Sequence, residues 1–204
     1  MCIELLACFI LLANSISTGE TLTADIYVFA CGPGLGKTLP ILEPLISTTR
    51  QEVFFFGSSP GDLRFSDRQL PVWMDNATNP LNGSEYIYYG FPSANGRGLK
   101  IANDARGPVI DPTNVDRQPD TEQLAAAREY LRLRFPDLAD APLIDNKVCQ
   151  YESSPRGRLI IDRHPEADNV WIAGGGSGHG FEHGPVIVSS WRMPYWTTKR
   201  PLQR

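Results

Sequence analysis

The chain has 204 residues and a formal net charge of −4 at pH 7, with a sequence pI near 5.4. That length suffices for one ordinary domain or for two small lobes with a buried core. Because the chain is acidic and charges of both signs are mixed along it, a nucleic-acid partner, which requires a basic face, is not expected.

The N-terminal segment and the cysteines indicate the cellular compartment in which the protein is expected. Residues 5–13, LLACFILLA, form an apolar run of the kind found in secretory signals, but Glu4 precedes it and no Lys or Arg does. The run is too short to cross a bilayer as a helix. The four cysteines have neither C-x-x-C spacing nor the density of a disulfide scaffold. We therefore expect a cytoplasmic protein without a membrane partner, with export through the weak signal-like segment as the alternative.

The first strand-like segments, LLANSIS and DIYVFA, lie within residues 11–30 and are joined through a turn at Gly19. A second glycine turn then ends in Gly36-Lys37-Thr38, as a Walker A motif does. The first glycine of that motif, five residues earlier, is Cys31 here, and prolines 40 and 44 disfavour the helix into which a phosphate loop must open. We therefore predict a strand with a tight turn and no nucleotide triphosphate site.

Most of the middle of the chain has strand character. Four segments are rich in aromatic and β-branched residues and are separated by Gly, Pro and Asn, which is typical of an antiparallel sheet. They read QEVFFFG, LPVWMD, EYIYYGF and GLKIAND. Three more short strands follow near the end: LIDNKVCQYE, RLIID and NVWIAG. The β-rich region is predicted to be inserted between two pieces of a different layer, before about residue 45 and after about residue 145.

One clear helix interrupts the strands. Asp120 is predicted as its N-cap, and Gln123 stands three residues on in a capping-box arrangement. Apolar residues then recur at helical spacing until Pro136 ends the pattern: Leu124, Ala127, Leu131 and Phe135. The pattern as a whole predicts an α+β fold with few helices.

The segment IAGGGSGHGFEHGP, residues 172–185, has three interpretations. His179, Glu182 and His183 fit H-x-x-E-H, an inverted zinc-protease motif, but no acid or histidine follows residue 184 to serve as a third ligand. A second interpretation is a glycine turn that binds nothing. The third is a cofactor site, in which glycines admit a ligand close to backbone amides and a helix N-terminus attracts its negative charge.

Three blocks in order carry a family resemblance: ADIYVFACGPGLGKTLP, YYGFPSANGRGLKIA and VCQYESSPRGRLIIDRHPEADNVWIAGGGSGHGFEHGP. Together they resemble the C-terminal half of FAD-dependent amine oxidoreductases of the D-amino-acid oxidase superfamily, of the monomeric sarcosine oxidase and N-methyltryptophan oxidase type. The resemblance runs from about residue 18 to about residue 187. It implies an antiparallel β-sheet substrate lobe inserted in the C-terminal remnant of a Rossmann-like FAD-binding lobe.

The resemblance also implies domain bounds. The substrate lobe would be residues 46–145, and residues 18–45 with 146–190 would form the partial FAD-binding lobe. Residues 1–17 are an unmatched apolar segment, and residues 191–204 are a tail.

The resemblance further implies roles for individual residues. Cys149, in a C-x-Y segment, would carry the flavin through a thioether, and Tyr151 would line the substrate pocket. Lys100 falls on the family lysine that lies over the flavin and helps molecular oxygen accept electrons, as a fixed cation does in a site with little water. A small buried core cysteine and a solvated strand lysine are the alternatives for Cys149 and Lys100. Backbone next to the cofactor would come from two glycine segments: Gly32, Gly175, Gly176, Ser177, Gly178, His179 and Gly180.

Two departures from the family pattern bear on the substrate. The carboxylate-binding lysine of the family is Glu182 here, and its pocket histidine is Asp104. Both changes remove positive charge, so a neutral or cationic amine is a better expectation than a simple N-methyl amino acid.

The chain has no G-x-G-x-x-G fingerprint followed by an acidic ribose ligand, the unit that normally holds the ADP part of FAD. We therefore expect a truncated enzyme that binds FAD weakly or not at all on its own. The leading hypothesis is an FAD-dependent oxidoreductase acting on CH–NH bonds, with a small-molecule amine and molecular oxygen as partners and no metal. A non-catalytic fragment or binding module and a zinc hydrolase are the alternatives.

Overall fold

The computed structural model describes residues 14–15, 18–78 and 85–190. The strands, in chain order, are β1 (Asn14–Ser15), β2 (Thr21–Leu22), β3 (Tyr27–Phe29), β4 (Ser47–Phe56), β5 (Trp73–Thr78), β6 (Glu85–Phe91), β7 (Leu99–Asn103), β8 (Leu143–Ser153), β9 (Ile160–His164) and β10 (Ala167–Gly174). The helices are α1 (Leu35–Thr38), α2 (Thr121–Arg134) and α3 (Gly180–Ser190). Thr48–Tyr151 forms one compact unit, the sheet unit, and the described residues before and after it form a second, the flanking unit.

The sheet unit is built on five strands in the order β5-β6-β7-β4-β8. The pairs β5–β6, β6–β7 and β4–β7 are antiparallel, which confirms the predicted kind of sheet. Side chains alternate between the two faces, so that in β4 Phe54 and Phe56 join one buried cluster while Val53 and Phe55 join another. An uninterrupted aromatic run therefore supplies both faces of one central strand.

Helix α2 covers one face of this sheet. Its Tyr130 stacks on Tyr88, with ring centroids 4.1 Å apart, and on Trp73 at 5.7 Å. Arg134, in the last turn, donates from Nε to Asp75 of β5 over 2.6 Å. Each large side chain buried here contributes roughly 1.5–3 kcal/mol. The cluster contains Phe54, Phe56, Phe65, Tyr86, Tyr88, Leu99, Ile101, Ala127, Tyr130, Leu131, Leu138 and Ala141.

Only one of the two contacts predicted for the N-terminus of α2 is present. Asp120 accepts a hydrogen bond from the amide of Glu122 over 2.7 Å, which confirms it as the N-cap. The reciprocal bond expected from Gln123 is wrong, because the carboxylate of Glu52 on β4 accepts from the amide of Asp120 at 3.0 and 3.2 Å. A buried acid from the sheet therefore replaces the local partner and ties the helix to β4.

The flanking unit contains a three-stranded sheet in the order β3-β10-β9. Strand β10 is parallel to β3, with Phe29 opposite Ile172, and antiparallel to β9. The prediction that LLANSIS and DIYVFA form a pair of strands is therefore wrong, since β1 pairs with β2 and β3 pairs with a strand from the far end of the chain. The core of this unit consists of Tyr27, Phe29, Leu35, Leu39, Leu42, Ile46, Ala167, Val170 and Ile172.

Few helices accompany these strands. The Walker-like GKT lies within the four-residue α1, and only a 3-10 turn that begins at Pro40 follows, so the segment lacks the long helix of a phosphate loop. The mixed architecture with antiparallel sheets and few helices confirms the predicted fold class. In the part of the chain that the structure describes, no helix is both long and apolar enough to cross a membrane.

Candidate functional site

Lys100 is held among aromatic rings on the face of the sheet opposite α2. In β7 it stands between Phe55 of β4 and Phe91 of β6 in the strand register. Its ammonium lies 4.5 Å from the ring centroid of Phe91 and 5.2 Å from that of Tyr89. Burial lowers the pKa of Lys100, the nearby Arg97 lowers it further, and Cys149 opposes both. We call this surface the Lys100 face.

Cys149, on β8, lies on the Lys100 face and packs against the small cluster of Val53, Phe55 and Ala102. Burial raises the pKa of its thiol, while the positive charges of Lys100, Arg117 and Lys147 lower it. The first of these cations is the largest opposing influence. The thiol is therefore protonated at neutral pH, and Lys100 is the group best placed to stabilise its thiolate.

Tyr151 and Asp104 meet on the same face. The hydroxyl of Tyr151 donates to Oδ1 of Asp104 over 3.2 Å and lies 3.5 Å from the hydroxyl of Tyr89. The guanidinium carbon of Arg106 lies 5.1 Å from the ring centroid of Tyr151. Burial, followed by the contact with Tyr89, raises the pKa of Tyr151, so the phenol stays neutral. The structure thus groups Lys100, Cys149, Tyr151 and Asp104 in one unit.

Three neighbours of these residues were not predicted from the sequence: Tyr89, Phe91 and Arg106. Tyr89 and Phe91 belong to EYIYYGF, where period-two alternation places them on one strand face. That alternation was available in the sequence, but it did not show which face of the sheet the helix covers. Arg106 gives no signal in sequence, because only the fold sets its guanidinium over Tyr151.

The glycine-rich turn, residues 175–179, follows β10 in the flanking unit. Gly175 and Gly178 have φ of 72° and 89°, and Ser177 has φ of 49°. A Cβ on Gly175 would stand 2.6 Å from the carbonyl oxygen of Arg158, so glycine is required there by both conformation and space. Gly176 accepts at its carbonyl from the amide of His179 over 2.7 Å, which closes the turn.

Ser177 braces this turn against the end of β8. Its side chain is only 1% exposed. Its amide donates to the carbonyl of Glu152 over 2.9 Å, and its hydroxyl accepts from the amide of Ser154 over 3.1 Å. The hydroxyl is thus engaged inside the protein, and the turn is held in shape by backbone and side chain together.

Helix α3 begins at Gly180, directly after the turn, and runs for eleven residues. It forms although Gly184 and Pro185, two residue types that disfavour a helix interior, lie inside it. His179 lies 3.7 Å from Glu182, measured from Nδ1 to Oε1, and both are about half exposed. The first amides of an isolated helix end attract negative charge, so an anionic group is the natural ligand class here.

Gly32 lies in the same unit, after β3, with φ of 52°. Nothing in the described part of the chain lies within 4 Å of a Cβ built on it, so the space beside it is open. Because β3 and β10 are parallel, their carboxyl ends meet at one edge of the sheet, where open α/β sheets bind ligands. Gly32 and the glycine-rich turn therefore share a single edge.

Glu152 is a further residue at this edge that sequence analysis did not identify. The amides of Gly175 and Gly176 donate to its carboxyl group. Among the described residues its Oε1 has no hydrogen-bond partner, although the atom is buried. Burial raises the pKa of this carboxyl, and the two amides oppose that effect. An unpartnered acceptor, open glycines and a helix N-terminus fit a cofactor that carries both hydroxyl groups and negative charge.

The zinc interpretation receives no support. His183 and Glu182 are exposed, and the described residues contain no group of three or more His, Cys, Asp or Glu that could hold a metal ion. A catalytic zinc site normally requires three protein ligands.

Known proteins resemble this chain over most of its length. A family model described as FAD dependent oxidoreductase matches residues 10–188. Monomeric sarcosine oxidase from Bacillus sp. (strain NS-129) is 36% identical over 172 residues, which cover 81% of this chain and 42% of that protein. Human peroxisomal sarcosine oxidase is 33% identical over 183 residues, covering 87% of this chain and 45% of that protein. The chain thus spans less than half the length of these relatives.

Solved structures show the same fold. The crystal structure of fructosyl amine:oxygen oxidoreductase (Amadoriase I) from Aspergillus fumigatus has a TM-score of 0.72 at 22% identity, covering 89% of this chain and 42% of that one. Fructosamine oxidase (Amadoriase II) from the same organism has a TM-score of 0.74 at 20% identity, covering 91% and 45%. At these identities the likeness concerns the fold alone.

Proposed function

Since the chain belongs to the family of FAD-dependent oxidoreductases, we propose that it supplies the substrate side of a flavin-dependent amine oxidase. The substrate is a small-molecule amine whose carbon next to nitrogen gives up hydride and whose nitrogen gives up a proton to the solvent, which leaves an imine. FAD, when bound, supplies the hydride acceptor. The proposal is carried by one observation above all: a partly buried lysine cation lies among aromatic rings on the face that also holds Cys149 and Tyr151.

Each residue of the Lys100 face has a role in this proposal. Lys100 places a fixed positive charge where molecular oxygen is reduced, and the surrounding rings exclude the water that would screen it. Cys149 is the covalent attachment point of the cofactor, with its thiolate stabilised by Lys100. Tyr151 and Asp104 line the substrate pocket, where their hydrogen bond fixes the orientation of the phenol ring.

The flanking unit supplies backbone to the cofactor. In the proposal, Gly32 and the turn from Gly175 to Gly180 lie against it, and the N-terminus of α3 faces its most negative part. Support comes from the matching edge position of these segments and from the similarity to sarcosine oxidases.

The substrate class follows from local charge. Sarcosine oxidases, by name, oxidise an N-methyl amino acid. In this chain an acid, Glu182, occupies the place of the cationic residue expected in that family, and a second acid, Asp104, lies beside Tyr151. We therefore propose a neutral or cationic small-molecule amine.

The test is a search for covalently held flavin. The chain is produced in cells that make FAD, precipitated with acid, and the pellet is assayed for flavin fluorescence. Because a thioether survives acid even where reversible binding is weak, we expect flavin in the pellet of the unsubstituted chain and of Cys31→Ser, whose cysteine is exposed, and none with Cys149→Ser. Flavin-free pellets throughout would favour a non-catalytic binding module.

A further inference from the structure

Glu152 stands at the ligand-binding edge of the flanking sheet. Gly174 is the last residue of β10, and a Cβ built on it would lie 2.4 Å from Oε1 of Glu152 and 2.3 Å from a methyl carbon of Leu35. Leu35 in turn follows Gly32 in the segment after β3. The carboxyl group therefore lies between the segments that leave the carboxyl ends of two parallel strands.

The Glu152 carboxyl group uses only part of its hydrogen-bonding capacity. Glu152 is 8% exposed, and the amides of Gly175 and Gly176 donate to it. Oε1 itself lacks a hydrogen-bond partner among the described residues. A carboxylate oxygen accepts only, and a buried acceptor without a donor is unfavourable. A ligand that places a hydrogen-bond donor next to Oε1 of Glu152 would therefore be favoured at this position.

The need for a hydrogen-bond donor limits the chemical class of that ligand. A phosphate brings negative charge and no donor, so a carboxylate repels it. A hydroxyl donates, and acids at the ends of parallel strands take sugar hydroxyls in dinucleotide-binding folds. We propose that Oε1 of Glu152 accepts a hydrogen bond from a polyol hydroxyl of the flavin cofactor, an inference that rests on the proposed function. Glu152 then becomes a cofactor-binding residue that holds the glycine-rich turn with one oxygen and the ligand with the other.

The test compares three probes with the full chain in a Cys149→Ser background, so that binding is reversible. Lumiflavin has the ring without a polyol, riboflavin adds the ribityl chain, and FAD adds a ribose. Dissociation constants come from quenching of flavin fluorescence. We expect riboflavin to bind at least about tenfold more tightly than lumiflavin, the effect of one hydrogen bond to a charged group.

Substitution of Glu152 should remove the preference for riboflavin over lumiflavin. Glu152→Gln replaces one acceptor oxygen with an NH₂ group, which can only donate, and Glu152→Ala removes both oxygens. Riboflavin should then bind no more tightly than lumiflavin, whereas Glu166→Gln, at an exposed acid of the same unit, should change nothing. If only FAD responds to the substitution, the hydroxyl belongs to the adenosine ribose and the proposal holds.

A pH series tests the same idea without relying on a variant's folding. A donor favours the ionised carboxylate, so riboflavin affinity of the Cys149→Ser chain should rise as pH increases through the raised pKa of Glu152. Lumiflavin affinity should stay flat. If Glu152→Gln weakens the binding of lumiflavin, riboflavin and FAD equally, or weakens none of the three, the inference is overturned while the proposed function stands. Failure of every flavin to bind would remove both.

Discussion

At the scale of single residues, the charge on Lys100 depends on its surroundings. Two aromatic ring faces and partial burial replace the water that an exposed lysine would have. The same burial lowers the pKa of Lys100, and Cys149 alone among the stated influences opposes it. The cation is thus held in a medium where it acts strongly on nearby negative charge, at the cost of being easier to deprotonate.

Replacing Lys100 should slow reoxidation of the reduced flavin by oxygen. We expect Lys100→Met to lower the rate of flavin reoxidation by a factor of roughly 10²–10³, the usual effect of removing one preorganised charge or donor. Lys100→Arg keeps the positive charge and should retain part of that rate. Because the pKa of Lys100 lies below its ordinary value, the unsubstituted rate should fall as pH rises through that lowered pKa, and the Met variant should lack this decline. Stopped-flow absorbance of the flavin measures both.

The matched control for this experiment is Lys147→Met. Lys147 lies on β8, and its ammonium pairs with Asp145 at 3.4 Å with more than half of the side chain exposed. Its loss should leave reoxidation within about twofold of the unsubstituted rate, since exposed charges are screened by solvent. Equal effects of Lys100→Met and Lys147→Met would mean that the position of Lys100 has no special importance.

At the scale of elements, strand β6 depends on a glycine beneath an indole ring. Gly90 pairs with Trp73 of β5, and a Cβ on it would lie 2.2 Å from the Trp73 ring and 2.7 Å from the carbonyl oxygen of Lys100. The same indole stacks on Tyr130 of α2. The absence of a side chain at Gly90 therefore lets the tryptophan lie flat between strand and helix.

Gly90→Ala should accordingly destabilise the sheet unit. We expect a loss of about 1–3 kcal/mol in the free energy of unfolding, as for other overpacked cores, measured by urea denaturation followed through tryptophan fluorescence. Gly34→Ala is the control, because Gly34 has φ of −83° and nothing in the described part of the chain lies within 4 Å of the added methyl. If Gly90→Ala leaves the urea concentration at the unfolding midpoint unchanged, Trp73 moves aside without a loss in the free energy of unfolding.

At the scale of the whole molecule, two units divide the chain. The sheet unit is one continuous stretch, whereas the flanking unit combines segments from both sides of it. The aromatic cluster under α2 draws every member from the sheet unit, and the cluster around β3 and β10 draws every member from the flanking unit. Each unit thus has a core of its own, which is the physical requirement for independent folding.

The sheet unit should therefore fold as an isolated chain. Residues 47–153, which include all of β4 and β8, should give a cooperative thermal transition by near-ultraviolet circular dichroism. The full chain should show two transitions, and Gly90→Ala should lower only the one that the fragment reproduces. A fragment without near-ultraviolet signal, or a single full-chain transition that Gly90→Ala shifts entirely, would contradict this division.

The sequence by itself determined the local structure and the chemistry of the main candidate residues. Alternation and turn residues identified the strands, and Asp120 and the apolar repeat identified α2. The proposed roles of Cys149 and Lys100 come from the family resemblance of the C-x-Y and GLK segments. These features are encoded by residues only a few positions apart, so the printed sequence shows them.

Only the tertiary structure decided which distant residues meet. The parallel pairing of β3 with β10 joins opposite ends of the chain, Glu52 replaces Gln123 at the start of α2, and Glu152 reaches the amides of the glycine-rich turn. Such contacts depend on how buried polar groups find partners after the chain has collapsed, and not on spacing along it. The unpartnered oxygen of Glu152 is visible for the same reason only in three dimensions.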